Sequence, residues 1–314
     1  MANLISRLID PWYPATAIGL EKGVASVIQL ERVKGWTCRL RRAATFNIAD
    51  SLLRPSFDEL NIEDPRQLAS VLSELATSAG LVKQKRWSLS LPEATARTQV
   101  LTIETQPQSS SELQEILKWK IERGFGAPME ELSISRERLQ KDSQGRDRYL
   151  VIGIRKAILA EYERLLDALG WRAGLILPRH LGESQWLVRN GSVGDSLLLS
   201  GSSQGFTGVF FRGKHPLIVR TVECTSDEFE DEFYRLLLFY RDRSAPEEPQ
   251  GSGLLRLMVV GEGITKERAG EIVKETTGDD VRSLRAEDLG LQLPNRDFSF
   301  DSIAAPAGLA TMSW

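Results

Sequence analysis

Two cysteines, Cys38 and Cys224, in 314 residues are too few for a disulfide framework or a cysteine-based zinc site. Two histidines, His180 and His215, leave no histidine-rich metal centre either, and no zinc or EF-hand spacing occurs. The one G-x-S-x-G match, Gly201 to Gly205, falls in a turn between two strand patterns and not in the strand-to-helix elbow of serine hydrolases. Long apolar runs are missing: none approaches the ~18–20 residues needed to cross a bilayer. The opening "MANLISRLIDPW" has neither the basic start nor the long apolar region of a signal peptide, and it reads as an ordered tail rather than an amphipathic anchor. An excess of one charge sign is absent as well. Lys and Arg number 40 against 43 Asp and Glu, a net charge of −3, which gives no electrostatic reason to expect nucleic acid. The cluster Arg39, Arg41 and Arg42 reads as a solvated strand face. These absences describe a cytosolic chain without a membrane span, whose length suffices for two lobes.

What is present is a repeated order of elements. "TAIGL" (16–20) leads through a polar turn to "VASVIQLE" (24–31), and "WTCRLRRAATF" (36–46) follows with Gly35 in the turn. Asp64-Pro65 predicts a capped helix with Leu68, Val71, Leu72, Leu75 and Ala79 at helical spacing, closed by Gly80. "RWSLSLP" (86–92) is the next strand. The same order returns about 180 residues later. "DSLLLSG", "GFTGVFF" and "HPLIVRTVE" are three strands, Thr225 to Glu228 fits a capping box, and Phe229, Phe233, Leu236, Leu237 and Tyr240 form a buried stripe. A Pro/Gly/Ser linker (244–253) then leads to "LLRLMVV" and a helix ending near Gly278.

Between the halves lies a smaller unit. "TQVLTIET" (98–105), "LSISRERL" and "RYLVIGI" (148–154) alternate as strands. One helix, capped by Ser111, carries Leu113, Ile116, Leu117, Ile121 and Phe125; a second carries Ile158, Tyr162, Leu165, Leu166 and Leu169. The expected division is residues 1–96 for the first part of lobe one, 97–174 for an inserted α+β subdomain, 175–192 for the return, and 193–314 for lobe two. Trp119 falls roughly 140° from the apolar stripe of its helix, which points it at a neighbouring subdomain, the preferred reading, or at a partner.

Three segments are candidates for ligand chemistry. Gly19, Leu20, Glu21 and Lys22 form a strand-turn whose amides and Lys22 could meet a phosphate, although Glu21 opposes an anion and a plain hairpin turn is the preferred reading. Gly201, Ser202, Ser203 and Gln204 form a small-residue loop free of acid. Gly261, Glu262 and Gly263 close a strand ahead of a helix. No residue stands out as catalytic or as a metal ligand. His215 and the small-residue "SIAAPAGLA" read as structural.

In this order "AIGLEKGVASVIQLE", "ELQEILKWKIERGFGAPMEELSISRERL", "LLLSGSSQGFTGVFFRGKHPLIVRTVE", "FYRLLLFYR", "LMVVGEGI" and "IAAPAGLA" resemble the type IV pilus assembly protein PilM family, relatives of the division protein FtsA. The resemblance covers roughly residues 16–310. It implies an α/β, actin-like fold: two lobes of a ribonuclease H-like duplicated βββαβα plan with the inserted subdomain. It further implies ATP or ADP with Mg at the three segments above. As partner it implies the cytoplasmic N-terminal segment of an inner-membrane PilN-like protein, besides other pilus assembly proteins, with the chain held at the membrane through that partner.

The departures are specific. Family members carry an Asp where Ala17 stands and another where Leu199 stands, and these carboxylates handle Mg²⁺ through water. Glu262 puts a bulky anion in the adenosine segment, and Glu223 leads almost directly to the helix at Thr225, where the family has nucleotide-covering helices. With these departures the resemblance implies a cytoplasmic scaffold of pilus or related envelope-machine assembly that has lost ATP hydrolysis. The alternative on the same fold is an active Mg-ATP-dependent ATPase or a sugar-kinase-like enzyme, which requires cleft carboxylates. A membrane-tethered secretion-system relative would require a spanning segment.

Overall fold

The computed structural model describes residues 13–105, 107–189, 194–244, 253–294 and 298–314. The expectations for the opening segment 1–12 and for most of the 244–253 linker lie outside the described residues. Two compact units are present: one comprises Met1–Thr95, Ala160–Trp186 and Ala286–Trp314, the other Ala96–Leu159 and Leu187–Arg285.

The first unit is built on β1 (Thr16–Glu21), β2 (Val24–Lys34), β3 (Thr37–Asn47) and β4 (Arg86–Leu91). Alternating apolar residues make β1 and β2 a hairpin with Glu21 opposite Val24, so Lys22 and Gly23 form the turn, with Gly23 at φ +79°. The strands run β3-β2-β1-β4, with β4 parallel to β1. β8 (Arg172–Pro178) extends this sheet beyond β4, and the two-residue β13 (Leu291–Gln292) pairs with the far edge, β3. Arg39, Arg41 and Arg42 are exposed, as expected for a solvated strand face.

Helix α1 (Pro65–Ser78) starts where Asp64 accepts hydrogen bonds from the Arg66 and Gln67 amides, both at 3.0 Å, and it buries Leu68, Leu72, Leu75 and Ala76. The loop before α1 is organised by Asn61, which is fully buried. Its Nδ2 donates to the carbonyls of Ser56 and Glu59, and its Oδ1 accepts from the Thr95 and Tyr162 hydroxyls at 2.7 and 3.0 Å. Replacing Asn61 by Leu is expected to leave these groups without partners and cost about 2–4 kcal/mol, read by urea unfolding. Burial raises the Tyr162 phenol well above its ordinary value, so it stays a neutral donor here.

A second sheet, in the other unit, repeats the plan. β9 (Asp195–Ser202), β10 (Gly205–Arg212), β11 (His215–Glu223) and β12 (Leu254–Gly261) lie in the order β11-β10-β9-β12, with β12 parallel to β9. This is the same order, with the same single parallel neighbour, as β3-β2-β1-β4. α5 (Phe229–Ser244) and α6 (Lys266–Thr277) contribute to an apolar core of Leu199, Phe206, Phe229, Phe233 and Leu236 among others. The same unit holds a three-stranded sheet, β5 (Arg97–Thr102), β7 (Arg148–Arg155) and β6 (Leu132–Leu139), with α2 (Ser110–Phe125). Between the two units the chain runs through α3 (Lys156–Ala168).

Two helix starts differ from the sequence reading. The Ser109 hydroxyl, not Ser111, caps α2 by accepting from the Glu112 amide at 3.1 Å. Thr225 and Glu228 do bond to each other, but they close a turn ahead of α5, which starts at Phe229.

Candidate functional site

The candidate residues divide between the two units and are built differently in each. In the first unit, β1 carries Ala17, Gly19 and Glu21 on one face, because side chains alternate along a strand. α7 (Phe300–Thr311) packs against that face. A Cβ on Gly19 would sit 2.9 Å from Cγ of Pro306 and 2.7 Å from Oγ of Ser26, so this glycine serves the approach of α7 to the sheet. α4 (Arg179–Val188) belongs to the same unit, and the Trp186 indole donates to the Ala304 carbonyl of α7 at 2.8 Å. Ala17 is fully buried and brings no oxygen to the position where the resemblance implies a carboxylate.

At the end of β1 lies a cluster of ionisable groups. Glu21 accepts from the Lys22 amide at 3.0 Å and, through its other oxygen, from the Glu93 amide at 3.2 Å and from Nη1 of Arg179 at 3.4 Å. Nε of Arg179 donates to Glu183 at 2.7 Å. The Glu93 carboxylate is 2.7 Å from Nδ1 of His180 and accepts from the His180 amide at 3.1 Å. Glu183 and His180 are fully buried. Burial works against the Arg179 charge, but Glu183 and Glu21 outweigh it and hold the guanidinium protonated. Burial pushes the Glu21 carboxyl above its ordinary value, opposed by Arg179 and by the Lys22 and Glu93 amides. The Lys22 ammonium lies 3.9 Å from Asp50.

The structure thus commits the Lys22 amide to an internal carboxylate. Glu93, Arg179, His180 and Glu183 were not singled out in the sequence. The Arg179/Glu183 spacing is a legible i,i+4 pair, but its burial depends on which face α4 presents.

In the second unit, β9 and β12 align Gly201 with Gly261, which brings the second and third candidate segments together. The approach is backbone on backbone. The Glu262 amide donates to the Gly201 carbonyl at 3.3 Å, and a Cβ on Gly201 would collide with the Glu262 carbonyl oxygen. Gly263, at φ +98°, turns against the Phe229 ring. Ser203 and Gln204 form an exposed two-residue turn between Ser202 and Gly205, where the Gln204 amide donates to the Ser202 hydroxyl at 3.3 Å. Leu199 is fully buried in the apolar core.

A separate cavity of about 250 Å³ in this unit is lined by Lys141, Arg148, Arg212 and His215. Its cations are held internally: Arg212 by Asp195, Lys141 by Asp147 and Arg148 by two main-chain carbonyls. Trp119 is 56% exposed, with Arg123 of its own helix stacked over the ring at 5.2 Å. Among the described residues no group of three or more His, Cys, Asp or Glu is placed to hold a metal ion, and no helix is long and apolar enough to cross a membrane.

No protein-family model and no curated protein matches the sequence. Solved structures do match in fold. A chain of the PilM-PilN type IV pilus biogenesis complex aligns with a TM-score of 0.71 at 16% identity, covering 96% of this chain and 99% of that one. A Bacteroides thetaiotaomicron protein of unknown function with an actin-like ATPase fold aligns at TM-score 0.49 and 13% identity, covering 97% and 99% of the two chains. The cytoplasmic domain of EpsL, an inner membrane component of the Vibrio cholerae type II secretion system, aligns at 0.47 and 12%, covering 95% and 93%. The chain has the actin-like ATPase fold, in agreement with its duplicated strand order.

Proposed function

We propose that this chain is a PilM-like cytoplasmic scaffold of type IV pilus or related envelope-machine assembly. In this reading it docks the cytoplasmic N-terminal segment of a PilN-like inner-membrane protein, sits at the membrane through that partner, and has lost ATP hydrolysis. The observation that carries the reading is the likeness in fold to the chain from the PilM-PilN complex over nearly the full length of both chains. A peptide segment of this kind is bound through apolar anchors and backbone pairing.

Loss of nucleotide chemistry is supported by the candidate segments. The two positions for Mg-handling carboxylates are buried Ala17 and Leu199, and hard cations need oxygen ligands. The Lys22 amide is taken by Glu21, and the Gly201 backbone lies against Glu262. These residues do not fit Mg·ATP in the way the resemblance implies, so no step is assigned to it.

The test has two arms. An immobilised N-terminal peptide of a single-span membrane protein encoded beside this chain is expected to retain the purified protein equally with and without ATP. No retention in either condition would count against docking. Turnover of Mg·ATP that disappears in a Ser203→Glu variant, at an exposed turn position, would replace the scaffold reading with the enzymatic one.

A further inference from the structure

We infer that the end of β1 is a built oxyanion receptor whose occupant is the chain's own Glu21 carboxylate, standing where a phosphoryl or carboxylate group of a ligand would sit. The inference rests on the reading above that nucleotide chemistry is lost at this turn, where Glu21 takes the Lys22 amide. Three donors from separate parts of the first unit converge on this one group: the Lys22 amide in the β1–β2 turn, the Glu93 amide after β4, and the guanidinium of Arg179 at the start of α4. Paired amides and a guanidinium are the donor set that recognises oxyanions.

The receptor is held in place without help from its occupant. Glu183 anchors Nε of Arg179 from one turn along α4. Glu93 is fixed by its own side chain, which accepts from the His180 amide and meets Nδ1 of the ring. Glu183 is therefore a positioning residue for the guanidinium, and Glu93 offers its main-chain amide to Glu21 while its side chain is engaged by His180.

The cluster also contains polar atoms that internal bonding does not exhaust. The second carboxylate oxygen of Glu183 and Nε2 of His180 are buried without a hydrogen-bond partner. The charged and titratable groups around Glu21 include Arg179, Glu93, Tyr162 and Lys22, with Glu183 behind Arg179, His180 behind Glu93 and Asp50 beside Lys22. Removing the Glu21 charge leaves Arg179 facing a space of side-chain size lined by two main-chain donors. Arg179 keeps its ion pair with Glu183, so the donors left without an acceptor are its Nη1 and the two amides, which favour an oxygen acceptor in a poorly solvated site. The physical consequence is a lobe that carries a permanent tethered stand-in for the anion, so its β1–β2 turn is held without a ligand.

The test compares Glu21→Ala with wild type and with Glu21→Gln, whose amide oxygen still fills the site and accepts from the Lys22 amide. Inorganic phosphate and acetate are titrated in at ionic strength held constant with chloride, following the amide resonances of Lys22 and Glu93 and thermal unfolding. Glu21→Ala is expected to show saturable shifts at both amides and a melting temperature that rises with phosphate, with apparent affinity at least about tenfold above wild type and Glu21→Gln. Response to both anions identifies a general oxyanion receptor, and response to phosphate alone identifies a phosphoryl site. A folded Glu21→Ala whose two amides ignore both anions would overturn the inference.

Should that variant fold only when phosphate or acetate is present, and not in chloride, the inference stands. Should it fold in none of them, wild type decides: the Lys22 and Glu93 amides must titrate together with the Glu21 carboxyl carbon, and independent titration overturns the inference. Peptide docking plays no part in these readouts, so failure here and failure of the scaffold reading are distinguishable.

Discussion

Leu199→Asp, the substitution that supplies the second carboxylate implied by the family resemblance, is expected to unfold or severely destabilise the protein without producing Mg·ATP turnover. Leu199 is fully buried in an apolar cluster with Phe206, Phe229, Phe233 and Leu236. The described residues packed in that cluster are hydrophobic, so a carboxylate there would be desolvated and unpaired. The expected cost is about 3–5 kcal/mol at neutral pH, a large share of a typical domain's stability. Acid recovers part of it, since the protonated carboxyl is cheaper to bury. Ala17→Asp meets the same obstacle on the β1 face where Gly19 already touches Pro306. Urea unfolding with a phosphate-release assay checks both variants. A stable Leu199→Asp protein that hydrolyses ATP would show that only the carboxylate was missing.

Arg179→Met is expected to have a comparable effect for the opposite reason. Methionine fills much of the arginine stem's volume but leaves Glu21 and Glu183 in a buried site without their shared cation. Breaking a buried pair in this way costs about 3–5 kcal/mol. Burial already pushes the Glu21 carboxyl up, with Arg179 the first opposing influence, so removing Arg179 pushes it further. A carboxyl with a folded-state value above its unfolded one binds its proton more tightly in the folded protein. Stability therefore falls as pH rises from the ordinary glutamate value of 4.5 to the raised one. The deficit of Arg179→Met relative to wild type is thus smallest in acid and grows toward neutrality. A deficit of the same size across that range would mean that lost packing, not unpaired charge, is responsible.

The parts of the fold that were legible in the sequence are those set by short-range periodicity. β6 was read from alternation alone as "LSISRERL" and spans Leu132–Leu139. The Asp64-Pro65 start of α1 was equally clear, because the cap and the proline act locally. The duplication survived because both sheets reuse one strand order with tight turns. The α2 start was ambiguous because Ser109, Ser110 and Ser111 are chemically equivalent, and only the folded backbone selects Ser109. β13, two residues long, has too little pattern to be seen.

The candidate site was legible at its glycines and illegible in its charges. Gly19 and Gly201 lie on strands just ahead of the turns read from the sequence, and the glycines serve Pro306 and the Glu262 backbone. Which carboxylates meet Arg179 depends on placing the end of β4 and the start of α4 beside β1, contacts that span 72 and 158 positions in the chain. No local pattern encodes them.

The central claim is that this actin-like chain works as a docking platform without nucleotide chemistry. Calorimetric titration of the purified protein with a PilN-like N-terminal peptide, in the presence and absence of Mg·ATP, tests it most directly. The account predicts saturable binding with a dissociation constant that Mg·ATP changes by less than about twofold, because a ligand without differential affinity shifts nothing. Binding that appears only with Mg·ATP, or no binding in either condition, would contradict it.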